Sequence, residues 1–88
     1  MTLEDARKEI DQIDREMATL FCRRMEAVRA VAAYKQKRGL PILDEAREAA
    51  VIEKNAALVE DPELRSYYVQ YLQENMKVSR RFQEKLMH

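Results

Sequence analysis

Apolar side chains recur every third or fourth position in the first third of the chain: Ala6, Ile10, Ile13, Met17, Leu20, Val28 and Val31. That is the period of an amphipathic α-helix with one apolar stripe. Thr2 is placed to cap it, and Glu4 and Asp5 suit the positive end of the helix dipole. The stretch KRGLP at 37–41 breaks the pattern, which predicts a first helix over residues 3 to about 37. A second break, EDP at 60–62, divides a helix over about 44–59 from one over about 62–86. Asp44 is the expected cap of the former, and Pro62 opens the latter, where its missing N–H costs nothing. The stripe of the third helix is Leu64, Tyr68, Tyr71, Leu72, Asn75, Ser79, Phe82, Gln83 and Leu86.

The fold class expected is all-α, with one very long helix and two shorter ones in a single domain spanning 1–88. A first helix of about 35 residues is about 50 Å long. A compact globule of this size is only about 30 Å across. The remaining residues cannot cover such a helix alone, so the stripe calls for a partner chain, most simply a second copy packed along it.

Composition narrows the function. Sixteen basic residues balance sixteen acidic ones, which argues against a nucleic-acid partner. The lone Cys22 cannot form an internal disulfide and fits a reducing compartment. The charged N-terminal stretch is not a signal peptide, and no apolar run approaches the length of a membrane span. A cytoplasmic, soluble protein with no membrane partner is expected.

Polar groups interrupt the stripes in a consistent way. At 100° per residue, Arg24 lies within about 20° of Ile13, Met17 and Val31. Lys35 follows about 16 Å further along nearly the same line. On the third helix Ser79 and Gln83 stand one turn apart beside Leu72, and on the second Asp44, Glu48 and Val51 share a face with Arg47 beside them. Burying such charges costs several kcal/mol per ion unless they are paired. Arg24 could pair with Glu48, and Lys35 could snorkel to solvent from the end of its helix. Taken together, however, Arg24, Lys35 and Arg47 outnumber Asp44 and Glu48, and a small polyanion would complete the set through forked contacts to carboxylates. Arg7 lies about 25 Å from Arg24 along the same helix and reads either as a solvated surface side chain or as a contribution to a partner's pocket.

Other chemistry lacks its parts. The only histidine is the terminal His88, and no Gly-rich loop, His/Cys cluster or Ser–His–Asp set is present. A reaction here would rest on positioning and fixed charge.

The chain resembles the all-helical (AroQ-type) chorismate mutases. The resemblance rests on ARKEIDQID at 6–14, LFCRRMEAVRAVAAYK at 20–35, PILDEAREAAV at 41–51 and SRRFQ at 79–83. It implies an intertwined, domain-swapped homodimer that rearranges chorismate to prephenate in phenylalanine and tyrosine biosynthesis, with no cofactor or metal. By position it implies that Arg24, and Arg7 from the partner chain, hold the substrate's two carboxylates. Lys35 and Gln83 match the pair at the ether oxygen, Glu48 the carboxylate at the ring hydroxyl, helped by backbone near Asp44. Arg47 and Ser79 match further pocket members. Catalysis would fall to Lys35, Gln83 and Arg24.

Two other readings compete. Isochorismate-pyruvate lyases are similar in fold, but there the helix-two arginine is not followed by an acid, whereas Glu48 follows Arg47 here. A non-catalytic helical dimerisation or regulatory module could instead use its buried charges to fix register.

Overall fold

The computed structural model describes all residues 1–88. It contains three helices and no strand: α1 (Leu3–Arg38), α2 (Glu45–Ala56) and α3 (Pro62–Met87). The Thr2 hydroxyl accepts from the Asp5 N–H, and the Asp5 carboxylate accepts from the Thr2 N–H, so a reciprocal capping box starts α1. At its other end Gly39 adopts φ 67°, a left-handed conformation that glycine takes without a Cβ penalty. The Leu40 N–H then reaches back 2.8 Å to the Lys35 carbonyl and closes the helix.

Asp44 caps α2 by accepting from the Arg47 N–H at 3.0 Å. α2 ends at Ala56, three residues before the end that the pattern suggests. The chain tightens there: Leu58 and Val59 donate to the carbonyls three residues back, at 3.0 and 3.1 Å. Arg65 ties the turn down from α3, donating to the Val59 carbonyl at 2.9 Å and the Glu60 carbonyl at 3.1 Å. Asp61 caps α3 through the Glu63 N–H, with Pro62 in the first turn.

α3 is the hub, packing against both α1 and α2. The apolar core is small: Val28, Ala32, Ala56, Leu72 and Met76. Two polar residues, Ser79 and Gln83, are buried beside it. Only the C-terminal half of α1 takes part in this core, because the chain is 53 Å long and only 26 × 15 Å in section. Along the other half of α1, Ile10, Ile13, Met17 and Leu20 are 44–56% exposed. These are the residues of the predicted stripe, so within one chain half of that stripe is bare.

Candidate active site

The site is built where α1, the α1–α2 loop, α2 and α3 meet. The Gly39 turn reverses the chain and brings the Ile42 carbonyl to within 2.6 Å of the Lys35 ammonium. Lys35 also donates to the Gln83 side-chain carbonyl at 2.9 Å. An ammonium has three N–H groups, so one is left for a ligand. Because Gln83 accepts through Oε1, its NH2 group is the end left to donate.

About three turns before Lys35 on α1, Arg24 donates from Nη1 to the buried Ser79 hydroxyl. Ser79 and Gln83 stand one turn apart on α3, so a single helix face organises both cations of α1. Glu48, in the first turn of α2, accepts from Arg80 of α3 through Oε1.

These groups line a cavity of about 210 Å³. Its wall contains Arg24, Lys35, Asp44, Arg47, Glu48, Ser79 and Gln83, with Val28, Val31, Ile42, Val51 and Met76 as apolar lining. A wider opening of about 480 Å³ at the α1–α2 loop shares Lys35 and Asp44 with it. The smaller cavity gathers most of the charged and polar groups. Counting Arg80, its wall bears four cations and two carboxylates, an excess of two positive charges in a half-apolar surrounding. Such a wall complements a small dianion and can orient it by several hydrogen bonds at once.

Seven of the eight candidate residues thus converge. Arg7 does not: it is exposed in the second turn of α1, far from the cavity lining. The ion pair between Arg24 and Glu48 does not form, since Arg24 bonds Ser79 and Glu48 bonds Arg80. Lys35 does not snorkel away but bonds inward, to Ile42 and Gln83. Arg80 is the lining cation that sequence reasoning missed. The available signal was its place beside Ser79 and one turn before Gln83, the angle at which α3 meets α2. Cys22 is exposed and outside the cavity, and His88 lies against Glu84 at 3.3 Å at the C-terminus.

The chain also has relatives among known proteins. The family model for chorismate mutase type II matches residues 6–84. The T-protein of Haemophilus influenzae is 37% identical over 83 aligned residues, covering 83% of this chain and 22% of the relative. The chain therefore spans about a fifth of the length of that relative. No solved structure matches it. No helix is long and apolar enough to cross a membrane.

Proposed function

The chain belongs to the type II chorismate mutase family, and on that premise we propose that its cavity rearranges chorismate to prephenate by electrostatic stabilisation and conformational clamping. The reaction is a step of aromatic amino-acid biosynthesis. The observation that carries the reading is the convergence of Lys35 and Gln83, 2.9 Å apart, beside the Arg24–Ser79 pair.

Chorismate has two carboxylates, an enolpyruvyl ether and a ring hydroxyl. As the ether C–O bond breaks ahead of C–C bond formation, negative charge grows on the ether oxygen. The free N–H of Lys35 and the NH2 of Gln83 are donors held in place before the reaction starts, so they bind that developing charge better than the neutral ether. Arg24, anchored by Ser79, holds one carboxylate, and Arg47 adds to the positive wall. Clamping the enolpyruvyl arm over the ring removes the rotational freedom that opposes the reactive geometry. Glu48 keeps one carboxylate oxygen beyond its bond to Arg80, and this oxygen accepts from the ring hydroxyl near the N-terminus of α2.

The second carboxylate falls to Arg7 of a second copy. Support for that copy is the bare half-stripe of α1. Covering the exposed part of Ile10, Ile13, Met17 and Leu20 contributes about 1 kcal/mol per side chain. Two α1 helices packed antiparallel would bring the Arg7 end of one chain toward the pocket of the other, the arrangement of an intertwined homodimer with two equivalent sites.

The direct test offers purified protein chorismate and isochorismate separately. Loss of chorismate with equimolar prephenate is the expected result. Faster pyruvate release from isochorismate would assign the pocket to the lyase reaction instead, and an inert protein would leave it a dimerisation module.

A further inference from the structure

Three ion pairs between lysine or arginine and glutamate join neighbours on one helix, with side chains more than half exposed. The fourth is different. Arg80 and Glu48 join α3 to α2, and their side chains are 29% and 25% exposed. Both line the cavity.

From this we infer that Arg80 is a positioning residue for the reaction: it holds Glu48 in place and cancels its charge, so that a carboxylate can serve inside a pocket made for a dianion. The inference rests on the proposed mutase reading and adds to it the means by which Glu48 is tolerated. Glu48 is placed by the first turn of α2, where Asp44 is the cap. Without a counter-ion its charge would repel the carboxylates of the guest. Arg24 donates to Ser79 and Lys35 to Ile42 and Gln83, and neither pairs with Glu48, whose ion pair is with Arg80. Arg80 reaches it because it follows Ser79 by 100° around α3, turned from the cavity floor toward α2. Only Oε1 of Glu48 is used by Arg80, which leaves the other oxygen to accept from the ring hydroxyl.

The hydroxyl is bound equally in the ground state and the transition state. Loss of this positioning therefore raises KM with little change in kcat, whereas a merely structural defect lowers the active fraction and so lowers kcat. The experiment measures kcat and KM for chorismate in the wild type, Arg80→Met, Arg80→Lys, Glu48→Gln and Arg80→Met with Glu48→Gln. Arg80→Met is expected to raise KM roughly five- to tenfold with kcat within about twofold. Arg80→Lys, which keeps the charge on a shorter side chain, is expected to recover part of the loss. In the Glu48→Gln background the Arg80 substitution is expected to change KM by less than about twofold, since the charge it balances is gone. An unchanged KM in both Arg80 variants overturns the inference. So does an equal loss in the Glu48→Gln background, which would mean that Arg80 acts without Glu48. Should Arg80→Met fail to fold, Arg80→Lys alone and combined with Glu48→Gln carries the same comparison. The wild-type rate reports on the mutase reading and the variant ratios on Arg80, so the two fail separately.

Discussion

Lys35 on α1 and Gln83 on α3, 48 residues apart in sequence, share a hydrogen bond of 2.9 Å from ammonium to amide carbonyl. The bond fixes which end of the amide is free. Lys35 can only donate, so Gln83 must offer Oε1 to it and keep its NH2 group for a ligand. Two donors are thereby held side by side, one charged and one neutral.

The neutrality of Gln83 has a consequence for pH. No histidine or cysteine lines the cavity, so activity is expected to stay flat between about pH 6 and 8. Gln83→Glu should change this. An ionised glutamate accepts only, so the second donor is lost near neutrality and returns when the side chain takes up a proton. The expected profile is a loss of about a hundredfold in kcat near pH 7.5 that shrinks as pH falls. A rate profile of both proteins checks it.

Arg7 and Arg24 test whether sites are shared between copies. Arg7→Ala and Arg24→Ala are each expected to be nearly inactive, because every site of either homodimer lacks one arginine. A dimer with one chain of each kind has one complete site. Refolding an equimolar mixture should therefore restore about a quarter of the wild-type sites by random pairing. Activity that stays at the level of the single variants would place both arginines in one chain's site.

The bare stripe of α1 predicts an assembly-dependent fold. Met17, 48% exposed in the single chain, sits between Ile13 and Leu20 on this stripe. Met17→Asp puts a charge into the surface that a second copy would cover. It is expected to shift sedimentation from dimer to monomer and to lower helicity, while a neutral change on the opposite face leaves both unaltered.

Gly39 turns the end of α1 so that Ile42 meets Lys35. A Cβ at this position would touch nothing within 4 Å, so crowding plays no part. The positive φ alone sets the cost, about 1–2 kcal/mol for Gly39→Ala. Calorimetry is expected to show a fall of about 5 °C or more in Tm for a chain of this size.

Much of this architecture could be read from the chain before its structure. The α1 stripe and its Thr2 and Gly39 ends are local signals, set by the helical period and by single capping residues. Asp44, Ser79 and Gln83 could be placed because polar residues on an apolar face demand partners. What the sequence concealed was pairing between helices. An arginine beside Arg81 on an exposed-looking turn reads as a solvated charge, and nothing local says that Arg80 rather than Arg24 meets Glu48. The early end of α2 was hidden for a similar reason: Ala57 to Val59 keep helical composition, and the turn is held by Arg65 from the next helix.

The central claim is that fixed positive charge at the ether oxygen lowers the barrier, and Lys35 tests it most directly. The measurement is kcat/KM for chorismate in the wild type and in Lys35→Ala, at matched concentrations and with far-UV dichroism and sedimentation showing equal folding and assembly. The expected result is a wild-type enzyme that turns chorismate into prephenate and a Lys35→Ala variant slower by about 10²–10³. A Lys35→Ala protein that is equally well assembled and within about threefold of the wild-type rate would contradict it.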